Sequence, residues 1–262
     1  MYLYSAPHRA PVAQLWKRNI PILDQGNLGS CTGNAIVGAI GTSPVFDAIL
    51  TRPALDENEA VKLYSAATQL DAYPGQYPPS DTGSDGPSAA KAAQKAGLIS
   101  GYTHCTDIAT MEQALQAGPV IVGVNWYDSF DTPDSSGYVA IGKSASVRGG
   151  HEFVVRGIDP VAQRFHADNS WSTSWGVSGS FQFSYATMER LLSEQGDCTV
   201  PVPLSAPAPT PTPTPGDPDA AFAAVLLAAN TLGQAWVDQR HDSYVKKVAV
   251  AGRTWIDAKN LG

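Results

Sequence analysis

Cysteine is scarce in this chain of 262 residues: Cys31, Cys105 and Cys198 are the only three. Three thiols cannot build the framework of a small disulfide-stapled scaffold, and none has the CxxC spacing of a structural zinc site. One Cys105–Cys198 bridge is left open by the count, with nothing in the sequence to support it. Basic charge is equally thin, with 17 Lys and Arg against 24 Asp and Glu for a formal charge of -7 and no Lys/Arg run. A nucleic-acid partner is therefore not expected. No stretch approaches the roughly 20 apolar residues that span a bilayer. The opening "MYLYSAPHRAPV" lacks a charged n-region followed by an apolar h-region, so no signal peptide is read there.

Apolar material, by contrast, is ample at 43% of residues, enough for a sizeable core in one or two domains. Composition breaks at "PVPLSAPAPTPTPTPGDP", where Pro alternates with small residues. Such a stretch favours polyproline II and acts as a semi-rigid spacer. The reading is a main domain over 1–200, a Pro/Thr-rich linker over 201–218 and a small helical module over 219–262. In that last module Phe222, Val225, Leu226, Ala229, Leu232 and Trp236 fall at roughly helical spacing.

Within the main domain, residues 31–41 are small or apolar almost all round, which predicts a buried helix. A second helix is expected in "TGSDGPSAAKAAQKAGLI", capped by Ser or Asp, with Pro87 in its first turn and Gly97 as its stop. A third spans 107–118. Short β-type runs follow: "PVIVGVNW", "HEFVVRGI", "RFHADNSW" and "GSFQFSY". Helices first and an antiparallel sheet afterwards give an α+β class.

Cys31 falls at the head of the first helix, behind the polar, Gly-rich "DQGNLGSC". Unpaired N–H groups and the helix dipole favour a thiolate there, and an imidazole to take its proton completes a nucleophile. Of the five histidines, His151 follows "RGG" and opens a strand-like run, whereas His166 reads as a strand or surface residue. "DTGSDG" at 81–86 begins like a calcium loop but has Ala92 where a bidentate Glu belongs, so it reads as a helix cap. His104 and Cys105 lack a second ligand pair and are read as a loop. No metal or cofactor is called for.

Taken in order, "DQGNLGSC", "GGHEFVVRGID" and "ADNSWSTSWGVSGSFQFSY" resemble the papain-like (C1-type) cysteine peptidases, in particular bacterial and phage-encoded members. The resemblance covers roughly residues 20–190. His151 lies 120 residues after Cys31, and Asn169 lies 138 after it. It implies a two-lobed fold, with a helical lobe and an antiparallel, β-barrel-like lobe. It also implies Cys31 as nucleophile, His151 as its proton partner, Asn169 as the residue orienting His151, and Gln25 as an oxyanion donor beside the Cys31 N–H. Trp171 would shield the His151–Asn169 bond, and Gly149 and Gly150 would leave room for substrate.

The expected activity is endopeptidase hydrolysis of peptide or amide bonds through an acyl-enzyme. A catalytically weak peptide-binding module and an acyltransferase are the alternatives. The partner is then a peptide or protein substrate, and the tail is expected to dock a partner or self-associate. Location is unassigned, with cytoplasmic and virion-associated both compatible. The 24 residues before Gln25 look like the start of a mature domain. Leu28 stands where many relatives have a disulfide-forming Cys, Thr32 replaces an aromatic, and Ser172 replaces a Gly.

Overall fold

The structure, a computed structural model, describes residues 3–5, 10–50 and 53–204. Residues 1–205 form one compact unit, to which the following description applies. The expected linker beyond 204 and the helical module lie outside the described residues.

Chain order is β1 (Gln14–Leu15), α1 (Cys31–Ile40), α2 (Glu57–Thr68), α3 (Gly86–Lys95), β2 (Gly101–Cys105), α4 (Ile108–Ala117), β3 (Val120–Tyr127), β4 (Val147–Asp159), β5 (Arg164–Asp168), β6 (Ser180–Ser184), α5 (Tyr185–Ser193) and β7 (Asp197–Val202). The strands form one antiparallel sheet in the order β2-β7-β3-β4-β5-β6, with β1 added to β4.

The local chemistry explains the helix starts. Asp56, Asp85, Asp107 and Ser184 each accept a first-turn N–H, and Asp107 forms a reciprocal capping box with Thr110. Gly97, at φ +71°, follows the end of α3. Helix α1 is the exception: Ser30 makes no side-chain cap bond, because its hydroxyl accepts from Asn34 Nδ2 instead.

Helix α1 is buried from Thr32 to Ile40, and two glycines permit this. A Cβ on Gly33 would lie 2.1 Å from the Ala60 carbonyl oxygen of α2, and one on Gly38 would lie 2.8 Å from Val154 Cγ2 of β4. The helix is thereby wedged between α2 and the sheet.

Alternation along β3 and β4 divides the interior into two cores. Val120, Val122, Phe153 and Val155 join Phe165, Phe181, Phe183, Met111 and Leu115 on one side. Ile121 and Val154 face the other way, into Ile36, Ile40, Leu63 and the alanines of α3. His151 shares the parity of Phe153 and Val155, whereas Glu152 shares that of Val154. Consecutive residues of β4 thus point to opposite faces at the point where the two cores meet.

Several local expectations need amending. His104 and Cys105 are not in a loop: they end strand β2, buried, with Cys105 directly opposite Cys198 of β7. The two are free thiols. Strand β7 runs on through Pro201 and Val202, pairing with Tyr102 and Gly101. The first two residues of the Pro-rich stretch therefore belong to the sheet, where Pro201 costs one backbone donor next to the sheet's edge strand. Helices α2 and α5 had no counterpart in the sequence reading.

Candidate functional site

The stretch "DQGNLGSC" is held from two directions. Its first residues pair with the segment after Asn169: Gln25 N–H donates to the Ser170 carbonyl at 2.9 Å, and Ser172 N–H donates to the Leu23 carbonyl at 3.1 Å. From the helical side, Gly29 N–H donates to Asp81 Oδ2 at 2.9 Å and Asp24 N–H to Glu57 Oε2 at 3.2 Å. Two segments some 145 residues apart in sequence thus become neighbours through backbone bonds alone, before any side chain is considered.

Side chains then fix the orientation of Gln25. Its Oε1 accepts from Ser170 Oγ at 2.7 Å, and its Nε2 donates to the Leu28 carbonyl at 3.0 Å. Gln25, Cys31 and His151 line one cavity of about 520 Å³, together with Gly83, Gly123 and Glu152.

The partially buried Cys31 sits at the uncapped start of α1. Burial pushes its thiol up to about 11, and the nearby Glu152 carboxyl adds to the rise. The N–H groups of Glu152, Thr32 and Cys31 act on the sulfur in the opposite sense. The first-turn donors that Ser30 leaves uncapped are turned toward the thiol.

His151 is 7% exposed. Its Nε2 lies 2.8 Å from Asn169 Oδ1, which also accepts the Ser170 N–H at 2.8 Å. An atom that accepts from a backbone N–H must be the amide oxygen, so His151 donates from Nε2 and keeps its Nδ1 lone pair for the cavity. Burial brings the imidazole down to about 4, with the Asn169 bond acting against that fall.

Aromatic rings enclose this pair. The Trp171 and Trp126 centroids lie 4.9 Å and 4.8 Å from that of His151. With Trp175, Arg148, Gly149 and Gly150 they line a second cavity of about 340 Å³. Gly149 and Gly150 are exposed, with nothing within 4 Å of where a Cβ would project.

Behind Asn169, Asp168 is fully buried between two guanidinium groups. Its Oδ2 takes Arg156 Nε at 2.8 Å and Arg18 Nη1 at 3.2 Å, and its Oδ1 accepts from Ser180 Oγ at 2.7 Å. This ionic knot anchors the end of β5, from which Asn169 projects.

All seven expected site residues, Gln25, Cys31, Gly149, Gly150, His151, Asn169 and Trp171, fall in this one region. His104 and His166 do not contribute: His104 Nδ1 meets Thr199 Oγ1, and His166 lies in β5. Sequence reasoning missed Glu152, Trp126, Glu57 and Asp81. For Glu152 a signal existed, since it is the one acid in the otherwise apolar "HEFVV". Glu57 and Asp81 left none, because their partners, the Asp24 and Gly29 N–H groups and the Asn34 and Tyr64 side chains, lie in other elements of the chain.

No family model matches the chain. In sequence it is 24% identical over 212 residues to an uncharacterized peptidase C1-like protein of Acanthamoeba polyphaga mimivirus, covering 66% of this chain and 67% of that one. In structure it is similar to xylellain, a cysteine protease from Xylella fastidiosa, with a TM-score of 0.61 at 19% identity over 77% of this chain and 91% of that one. It is also similar to digestive procathepsin L 3 of the Tenebrio molitor larval midgut, with a TM-score of 0.58 at 18% identity over 76% and 73%. The described unit has the papain-like α+β fold.

Proposed function

We propose that the protein is a cysteine peptidase that hydrolyses peptide bonds through an acyl-enzyme on Cys31. The observation that carries this reading is the chain of contacts Ser170 N–H to Asn169 Oδ1 to His151 Nε2, which leaves Nδ1 as a base in the cavity that holds the thiol. Burial penalises either charge alone, raising the thiol and lowering the imidazole. Moving the proton from Cys31 to His151 forms both charges together, so that each offsets the other's penalty.

The thiolate then adds to the scissile carbonyl carbon, and the carbonyl oxygen becomes an oxyanion. The Cys31 N–H and the second Nε2 hydrogen of Gln25, whose first is taken by Leu28, are the donors available to it. His151 returns its proton to the leaving amine, and the C–N bond breaks to leave a thioester. Water, deprotonated by His151, hydrolyses that ester and restores the thiol. Trp171 and Trp126 keep bulk water from the His151–Asn169 bond, which strengthens it.

A peptidyl epoxide tests the assignment. It should alkylate Cys31 and spare the buried Cys105 and Cys198, as read by peptide mapping. Labelling should disappear in Cys31→Ala and slow in His151→Ala. Reaction at Cys31 no faster than at an ordinary exposed thiol would overturn the reading.

A further inference from the structure

Three carboxyl groups meet beside the thiol without a cation to neutralise them. Glu152 is 3% exposed, and its Oε1 has no hydrogen-bond partner. Its two oxygens lie against the bare α-carbons of Gly86 and Gly123, each 2.5 Å from where a Cβ would stand. Asp197 presents its own two oxygens to the same two points, at 3.0 Å and 2.9 Å. Asp85, the cap of α3, completes the group and raises both neighbours. The buried Asp168, by contrast, is matched by Arg18 and Arg156, and Glu194 is matched by Arg190. None of the ion pairs among the described residues reaches Glu152, Asp197 or Asp85.

We propose that this end of the cavity receives a basic side chain of the peptide, lysine or arginine, whose cationic head lies between Glu152 and Asp197 with Asp85 behind. The inference rests on the peptidase reading and names its substrate class. Glu152, Asp197 and Asp85 line the same cavity as Cys31, so a peptide with its carbonyl at the sulfur can extend a side chain to them. The absence of side chains at Gly86 and Gly123 is what lets both carboxyl groups lie against the backbone at this end of the cavity. Tyr73, 51% exposed at the rim, offers a ring face to the aliphatic stem. Burial and mutual repulsion hold Glu152 and Asp197 above the usual carboxylate range; an entering cation supplies the missing counter-charge and lets them ionise.

The test uses acetylated tripeptide coumarylamides in which lysine or its uncharged isostere norleucine is moved through the three positions. At one position lysine should exceed norleucine by about tenfold or more in kcat/KM, the effect of a single charge-assisted contact. Asp197→Asn should lower that ratio about fivefold or more. The same peptides are titrated calorimetrically into the Cys31→Ala protein, which keeps the carboxyl groups. Failure of epoxide labelling would sink the peptidase reading, while this binding comparison would still report on the cavity. If lysine peptides neither bind nor react better than norleucine peptides at any position, including the case where neither binds, the assignment is overturned.

Discussion

Ser170 Oγ donates to Gln25 Oε1 at 2.7 Å, and this bond fixes the orientation of the Gln25 amide beside the cavity that Cys31 also lines. With the oxygen committed to Ser170, the nitrogen must point toward Leu28 and the cavity. Gln25→Ala should lower kcat by about 10²–10³, the usual cost of one oxyanion donor. Ser170→Ala leaves the donor in place but frees it to rotate. It should reduce kcat by a smaller factor, with KM little changed, in steady-state kinetics on a neutral peptide.

Asn169→Ala removes the acceptor for His151 Nε2. Because general acid–base catalysis supplies about 10²–10⁴, a loss of about tenfold or more in kcat/KM is expected. Epoxide labelling of Cys31 should slow in parallel. Asn169→Gln, which has an amide but the wrong reach, should not restore the rate.

In the proposed mechanism imidazole and thiol share one proton, so the pH profile of kcat/KM reports two ionisations of the pair. With His151 down to about 4 and Cys31 up to about 11, activity on an uncharged peptide should form a broad plateau. Its acid limb should lie well below the ordinary imidazole value of about 6.5. An acid limb at that ordinary value would mean that His151 is hydrated rather than enclosed by Trp171 and Trp126.

Much of the site was legible because its parts lie in short contiguous motifs. "DQGNLGSC" carries the turn and the helix start, and "GGHEF" carries a strand start. Ser172, where the pattern has a Gly, adopts φ +63°, a left-handed conformation that favours glycine, and its N–H is bonded to the Leu23 carbonyl. The starts of α3 and α4 were readable from Asp85 and Asp107, since capping is a local event. Helix α2 left the same kinds of signal, the Asp56 cap and Ala60, Leu63, Tyr64 and Ala67 at helical spacing, yet was not read from them. Nor was strand β2: "GYTHC" has no alternation, and its partner β7 lies nearly 100 residues later. The acidic cavity was illegible for the same reason, being assembled from α3, β4 and β7.

Asp197 should make stability fall with rising pH. Its folded-state value is up to about 7 against 3.8 when unperturbed, so between those limits the folded chain holds a proton that the unfolded chain has lost. The slope of unfolding free energy with pH is negative in that window. Asp197→Asn removes it: the variant and the parent should match most closely below pH 4, and the variant should gain steadily in Tm up to about pH 7. A parent whose advantage instead grows with pH would show Asp197 to be stabilised as the anion.

Asp168 anchors the end of β5. Its carboxylate is buried between Arg18 and Arg156, and removing it leaves two guanidinium groups beside an apolar core. Asp168→Ala should cost about 3–5 kcal/mol in denaturant unfolding. Asp168→Asn, which keeps one acceptor oxygen for the two guanidinium groups while its amide nitrogen can donate to Ser180 Oγ, should cost less.

The placement of Cys31 depends on Gly33, two residues into α1. A methyl group there would meet the Ala60 carbonyl oxygen at 2.1 Å and Tyr64 Cβ at 2.9 Å. Both belong to α2, whose backbone cannot rotate away as a flexible side chain could. Gly33→Ala must therefore push the helices apart, costing about 1–3 kcal/mol as over-packing does. It should also tilt the start of α1, and a shift near 1 Å at a reacting atom can cost about 10²-fold. Gly149→Ala is the informative contrast, since nothing lies within 4 Å of its would-be Cβ. Its free energy of unfolding should stay within about 0.5 kcal/mol of the parent's, while KM rises because the new methyl intrudes on the cleft. Equal loss of stability in both variants would mean that α1 is not seated on α2 as closely as the 2.1 Å approach requires.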